Sequence, residues 1–157
     1  MVDVTLAPHE MVFAAWTGVR RNVESKRRGL HHSAGYEGDG WGENIEGAGG
    51  ELAVAKALNV YWDGSVNTFK QPDLPGLQVR TRSRHDYDLI IRPGDAPEER
   101  YILVTGQMPN YRIQGWARGS DVMLPQFLKE YGGRPAAYFV PASKLQPIET
   151  LPPRETN

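Results

Sequence analysis

Cysteine is absent from this chain of 157 residues, which excludes disulfide bonds, thiolate catalysis and zinc sites built on cysteine. Long hydrophobic runs are also absent, and residues 1–13 are interrupted by Asp3, Pro8, His9 and Glu10. We therefore expect a cytoplasmic protein that has neither a signal peptide nor a membrane-spanning segment. Positive and negative charges are nearly balanced, because 18 basic and 19 acidic residues give a formal net charge of −1 at pH 7. Affinity for a polyanion would have to come from the local arrangement of charges.

The chain does contain enough apolar material for a core, since 39% of its residues are hydrophobic. This length and composition predict one domain over residues 1–150, followed by a flexible tail at 151–157. The charges are distributed unevenly. Two basic clusters flank an acidic stretch: Arg20, Arg21, Lys26, Arg27 and Arg28 come first, then Glu37, Asp39, Glu43 and Glu46, and then Arg80, Arg82, Arg84 and Arg92.

Three helices are predicted from apolar spacing and from start and stop signals, over residues 5–28, 47–58 and 121–131. Thr5 is a possible cap for the first helix, and Gly29 is expected to end it. The second helix is expected to end at Asn59. Residues 31–44 are rich in glycine, histidine and acidic residues without a period, which predicts a mobile connection.

Short β-type runs bounded by glycine, proline and aspartate are predicted after the second helix, at 60–62, 66–69, 77–83, 89–92, 101–105, 112–116 and 136–140. Helices before and after a run of strands predict an α/β or α+β fold. We expect a central mixed sheet flanked by helices, with the core over residues 47–145.

The most informative segment is the predicted strand at 77–83 and its continuation to His85. Because side chains alternate along a strand, Gln78, Arg80, Arg82 and Arg84 fall on one face. Arginine is always charged and binds phosphate with two nitrogens, so this row of cations is typical of a surface for a polyanion. A solvated edge strand protected by charge is the alternative.

Glu51 occupies an unusual position for an acid, because Ala55 and Leu58 place it on the apolar stripe of its helix. A carboxylate directed at a core edge needs a cation, a metal or several hydrogen bonds. The alternative is a peripheral glutamate that caps a helix start near Gly47 and is stabilised by the helix dipole.

Other side chains are weaker candidates. His31, His32 and His85 are suited to metal binding or general-base chemistry, but loop histidines are more often simply exposed. Segment 85–88 predicts a polar hairpin. Among the tryptophans, Trp62 and Trp116 are expected in the core, and Trp41 is the best exposed candidate for base stacking. The basic segment 20–28, which includes Arg27 and Arg28, forms either a second phosphate clamp or a solvated helix end whose cations oppose the helix dipole.

The order of these groups resembles the PD-(D/E)XK nuclease superfamily, and the chain looks most like small, uncharacterised phage-encoded members. The likeness covers roughly residues 47–140 and is carried by Gly47-x-x-Gly50-Glu51-x-Ala53-x-Ala55-Lys56, Pro72-Asp73, Gln78-Val79-Arg80, Tyr101-Ile102-Leu103-Val104-Thr105-Gly106 and Gly115-Trp116.

The resemblance implies a restriction-endonuclease-like core and a metal-dependent nuclease acting on DNA phosphodiesters. Asp73 would be the central ligand of Mg²⁺ or Mn²⁺, with Glu51 completing the metal shell. Gln78 would take the place of the second acid, and Arg80 the place of the lysine. Arg82 and Arg84 would bind neighbouring phosphates. Arg27 and Arg28, which lie outside the likeness, are the other candidates for phosphate binding.

Two of these positions depart from the superfamily pattern. The amide of Gln78 binds magnesium more weakly than a carboxylate does, and Arg80 cannot lose its proton to act as a general base. The resemblance therefore leaves two functions open, a metal-dependent nuclease and an inactive scaffold that binds DNA or a protein partner. A self-associating phage structural or assembly protein is the third alternative. For all three we expect a location in the cytoplasm of a bacterial host.

Overall fold

The computed structural model describes residues 1–29, 38–66, 74 and 76–153. Strands and helices follow one another in the order β1 Val2–Thr5, α1 Pro8–Arg27, α2 Trp41–Leu58, β2 Leu77–Arg82, β3 Leu89–Ile91, β4 Arg100–Gln107, β5 Asn110–Arg118, α3 Gly119–Val122, β6 Leu128–Lys129 and β7 Ala137–Val140. Short 3₁₀ helices cover Pro125–Phe127, Ala142–Lys144 and Ile148–Thr150.

The strands form two sheets. The first has the order β1-β5-β4-β2, in which β2 runs parallel to β4 and the other neighbours are antiparallel. The second is the antiparallel sheet β3-β7-β6. This arrangement confirms the predicted α+β class with a mixed sheet. The restriction-endonuclease-like core stays a prediction.

Segment 85–88 does not close a hairpin, because β2 pairs with β4 and β3 pairs with β7. The predicted polar hairpin is therefore wrong. The chain instead turns at this segment and passes from the first sheet to the second. A hairpin turn and a turn that connects two sheets use the same polar residues, so only the pairing of the flanking strands distinguishes them.

The first helix starts later than predicted. Thr5 ends β1, where it pairs with Asn110 of β5, and α1 begins at Pro8. Glu10 takes the capping role expected of Thr5, since its carboxylate accepts a hydrogen bond from the backbone N–H of Ala7 at 2.7 Å. At the other end the prediction is confirmed, because Gly29 follows the helix with φ +67°.

The second helix starts earlier than predicted, at Trp41, directly after the left-handed Gly40. The last residues of the expected mobile connection are therefore helical. Packing explains this, because α1 crosses α2 so closely that a Cβ on Gly18 would lie 2.5 Å from Cα of Ile45. Burial against α1 outweighs the low helix propensity of the glycine-rich sequence. The helix ends at Asn59, as predicted.

Two further predictions are corrected. Val60, Tyr61 and Trp62 form no strand. Only Val66 of the run expected at 66–69 is described, and it is irregular. The helix expected over 121–131 is replaced by α3, a 3₁₀ turn and β6. Pro125 explains the break, because it favours an extended residue before it and Leu124 has ψ 149°.

The chain beyond β7 is held on the body of the protein as far as Leu151. Trp116 and Gln146 exchange backbone hydrogen bonds of 2.9 and 2.8 Å, and Leu151 packs against the core. Residues 154–157 lie outside the described part of the chain.

The first sheet separates two hydrophobic cores. On one face, α2 covers Leu77, Val79, Ile102 and Val104. On the other, Tyr101 and Leu103 pack with Leu89, Ile91 and Val140 of the second sheet. Gly50 allows α2 to approach closely, since a Cβ there would lie 1.9 Å from Oγ1 of Thr81. The side of the sheet on which a residue lies therefore decides which groups it can reach.

Candidate functional site

Glu51 lies within α2 and is only 6% exposed. Arg21 of α1 binds both carboxylate oxygens, with Nη1 at 2.8 Å from Oε1 and Nη2 at 2.9 Å from Oε2. Trp62 donates its indole N–H to Oε2 at 3.0 Å. The required cation and hydrogen bonds are thus supplied by Arg21 and Trp62. The alternative in which Glu51 caps a helix start is wrong, because α2 begins at Trp41.

Glu51 and the cationic row of β2 lie on opposite sides of the first sheet. Leu77 and Val79 pack in the core that α2 covers, so strand alternation directs Gln78 and Arg80 to the other face. Asp73 lies outside the described residues. The structure therefore does not bring Glu51 together with Gln78 and Arg80.

The surroundings of Glu51 do not fit a divalent cation. Both carboxylate oxygens are engaged by a guanidinium group, and a metal bound to them would be repelled by that positive charge. Within the described ranges, no group of three or more histidine or acidic residues is arranged to hold a metal ion. Binding of Mg²⁺ or Mn²⁺ stays a prediction from the resemblance.

Arg80 is bound to the loop that follows β3. Its Nη2 donates to Oδ2 of Asp95 at 3.0 Å, and its guanidinium carbon lies 5.3 Å from the ring centre of Tyr101. Asp95 also accepts the backbone N–H of Arg92 at 2.8 Å. Tyr101 is 1% exposed, and burial raises its pKa to about 12. Arg80 therefore connects β2 to the loop through an ion pair.

The other two arginines of the row converge on Tyr87. We call residues 82–88 the arginine turn. The guanidinium carbons of Arg82 and Arg84 lie 4.3 and 5.3 Å from the Tyr87 ring centre. Arg82 also donates to the carbonyl of Asp88 at 3.0 Å, and desolvation lowers its pKa. Arg84 donates to both carboxylate oxygens of Asp86, each at 2.9 Å. One ring thus orients two cations.

The arginine turn is fixed to the first sheet by His85. Its Nδ1 lies 2.7 Å from Oγ1 of the fully buried Thr105. Gln114 donates to the same hydroxyl at 2.9 Å and to the His85 carbonyl at 3.3 Å. The sequence reasoning missed Thr105 and Gln114, although polar residues within otherwise apolar strands were the available signal. His85 positions the turn, while His31 and His32 lie outside the described residues.

Arg27 and Arg28 lie at the exposed end of α1 and share one acid. Glu24 accepts from Arg27 at 2.6 and 3.0 Å and from Arg28 at 2.7 Å. The hydrogen bonds from Arg27 contribute most to lowering the pKa of Glu24 to about 2. One carboxylate bound by two arginines leaves this helix end positively charged.

The tryptophans divide into buried and exposed pairs. Trp62 and Trp116, 4% and 5% exposed, confirm the expected core positions. Trp41 is 37% exposed, and the ammonium of Lys26 lies 5.8 Å from its ring centre. Trp16 is 61% exposed, so the prediction that Trp41 is the best exposed tryptophan is wrong. The single-sequence pattern placed Trp16 on a helix without showing which face that helix buries.

Comparison of the chain with protein-family models, with curated proteins and with solved structures gives no match. Membership of the PD-(D/E)XK superfamily therefore stays a prediction from the quoted motifs. In the described part of the chain, no helix combines the length and apolar character needed to cross a bilayer.

Proposed function

We propose that the protein binds DNA through the arginine turn and that its fold serves as the scaffold for this contact. The observation that carries the proposal is the convergence of Arg82 and Arg84 on the ring of Tyr87. Two guanidinium groups held by one ring lose little side-chain freedom when they bind phosphate. Of the functions that the resemblance leaves open, the non-catalytic scaffold is the better supported.

The pairing of Arg84 with Asp86 supports phosphate as the ligand. A guanidinium that donates two hydrogen bonds to a carboxylate has the geometry with which arginine also binds phosphate. Both side chains are mostly exposed, at 63% and 65%, so their ion pair adds little stability. A phosphate of the DNA backbone can therefore replace the Asp86 carboxylate on Arg84.

The ion pair of Glu51 supports the non-catalytic alternative. Arg21 and Trp62 occupy the carboxylate that the superfamily pattern assigns to the metal. Gln78 and Arg80 lie across the sheet from it. A metal centre built from Glu51, Gln78 and Arg80 would require the ion pair between Arg21 and Glu51 to break. It would also require all three side chains to lie on the same face of the first sheet.

Fluorescence anisotropy with a labelled duplex tests the proposal. Binding should weaken as the salt concentration rises from about 50 to about 200 mM. Each phosphate contact should contribute about 0.9 to the slope of log affinity against log salt concentration. Arg84→Ala should reduce affinity and lower that slope by about one unit. Arg134→Ala, which removes an exposed arginine between β6 and β7, is the matched control and should leave both unchanged.

Two results would overturn the proposal. One is equal behaviour of Arg84→Ala and Arg134→Ala in the salt titration. The other is nicking of supercoiled DNA with Mg²⁺ or Mn²⁺ that both Asp73→Ala and Glu51→Gln abolish while the protein remains folded. The second result would establish the nuclease in place of the scaffold.

A further inference from the structure

A groove of about 590 Å³ runs along the exposed side of α1, and the proposed function does not use it. We call it the α1 groove. Its apolar wall is made by Trp16, Val19, Val23 and Val66, and its charged residues are Arg20, Glu24 and Asp63. A volume in the range of small-ligand sites, lined by apolar groups with a few charges, is typical of a binding site.

We propose that the α1 groove binds a nucleotide unit of single-stranded nucleic acid, with a base stacked on Trp16 and its phosphate bound by Arg20. This site is separate from the arginine turn. The inference shares the ligand class of the proposed function, but it uses other residues and another form of the nucleic acid.

The first argument is the spacing of Trp16 and Arg20. They are separated by one helical turn and therefore lie side by side, with Cβ atoms about 5–6 Å apart. Trp16 is 61% exposed, and Arg20 is also exposed. Among residues 1–29, 38–66, 74 and 76–153, no carboxylate forms an ion pair with Arg20. An aromatic face and a cation are thus available together for a base and its phosphate.

The second argument is the charge around the groove. The adjoining end of α1 carries four cations that do not bind Glu51, namely Arg20, Lys26, Arg27 and Arg28. The groove lining itself contains one of these cations, Arg20, and two carboxylates, those of Glu24 and Asp63. Glu24 is already bound by two of the arginines. Arg20 is therefore the cation that the lining offers to a phosphate, and the other three cations adjoin the groove at the end of α1.

The aromatic contact selects single strands. In a duplex each base is stacked between its neighbours and paired at its edge, so its flat face cannot reach an indole ring. Stacking on an aromatic side chain is sequence-tolerant because every base has a π-face. We therefore expect the groove to prefer unpaired strands and to show little sequence preference.

Anisotropy with fluorescein-labelled oligo(dT), alongside a labelled duplex, tests this inference on the full chain. Trp16→Ala should weaken oligo(dT) binding about 5- to 100-fold, the range expected for loss of one stacked base. Duplex binding should remain unchanged. Trp16→Phe should restore most of the affinity, and Arg20→Gln should lower the salt slope by about 0.7, the contribution of one phosphate contact on a single strand. Tyr61→Ala, which removes an 86% exposed ring outside the groove lining, is the aromatic control.

The outcomes separate this site from the arginine turn. Oligo(dT) affinity that depends on Trp16, together with duplex affinity that does not depend on Arg84, supports the inference and removes support from the proposed function. Duplex affinity that depends on Arg84, together with oligo(dT) binding insensitive to Trp16, overturns the inference alone. Light scattering that shows a wild-type dimer and a Trp16→Ala monomer, with equal oligo(dT) affinity, also overturns it and assigns the groove to a second copy of the chain.

Discussion

Glu51→Gln tests whether this acid stabilises the fold or belongs to a metal site. The substitution keeps the shape of the side chain but replaces one acceptor oxygen with an amide that cannot accept a hydrogen bond. One N–H of Arg21 then loses its acceptor, and the guanidinium loses its counter-charge. The side chains of Arg21 and Glu51 are 20% and 8% exposed, so water compensates only partly. We expect a loss of about 2–4 kcal/mol in the free energy of unfolding.

The reciprocal change should cost more. Arg21→Met leaves the Glu51 carboxylate buried with only the indole N–H of Trp62, and we expect a loss of about 3–5 kcal/mol. The double variant Arg21→Met/Glu51→Gln removes both charges and should be more stable than the summed effects of Arg21→Met and Glu51→Gln predict. This non-additivity isolates the ion pair from general packing losses.

Urea unfolding monitored by circular dichroism in the presence of EDTA measures these values. Glu130→Gln, at an exposed glutamate after β6, is the control and should lie within about 0.5 kcal/mol of wild type. A metal ligand behaves differently, because neutralising an acid of an empty metal site removes repulsion. Glu51→Gln within about 0.5 kcal/mol of wild type would refute the ion-pair account.

Three other predictions concern packing and hydrogen bonding. Gly18→Ala should lower the free energy of unfolding in urea by about 2 kcal/mol or more, because its Cβ would meet the α2 backbone at 2.5 Å. Gly47→Ala has no atom within 4 Å of its Cβ and should raise the free energy of unfolding by about 0.5–1 kcal/mol. Equal effects of the two substitutions would refute the close crossing of α1 and α2. The pKa of Tyr101 is raised from 10.0 to about 12, so the unfolded chain loses its proton first and stability should fall as pH rises between these values. Tyr101→Phe should reduce that slope in denaturation at several pH values, and an unchanged slope would contradict the assignment. Thr105→Val removes the hydroxyl that His85 and Gln114 share, so the free energy of unfolding should fall by about 1–3 kcal/mol and amide exchange in the arginine turn should become faster. Amide protection of the turn equal to wild type would show that His85 does not hold it.

The sequence predicted the elements whose signals are local. The bounds of β2 were predicted to within a residue, because apolar Leu77 and Val79 alternate with polar Gln78 and Arg80. Gly29 and Asn59 marked the ends of α1 and α2 for the same reason, since left-handed residues end helices. The start of α2 was missed because it depends on a tertiary contact, the crossing of Ile45 over Gly18.

The candidate site could be predicted only in part. The sequence showed that Glu51 needs a partner, but Arg21 lies 30 residues earlier on another helix, so nothing local identified it. The sequence placed Arg80, Arg82 and Arg84 on one face of a strand. It did not show that this face lies opposite α2, because that follows from the order and direction of strands in the sheet. Tyr87 was assigned to a turn, and its role between two arginines emerged only in three dimensions.

The central claim is that the arginine turn binds DNA phosphate and that Asp86 competes for the same guanidinium. The most direct test compares Arg84→Ala with Asp86→Asn, which remove charges of opposite sign. Their affinity for a duplex is measured by anisotropy at one salt concentration. The account predicts changes in opposite directions: weaker binding for Arg84→Ala, and tighter binding for Asp86→Asn, because its amide competes less well than the carboxylate. Affinities that match wild type in both variants, or that fall in both, would contradict the account.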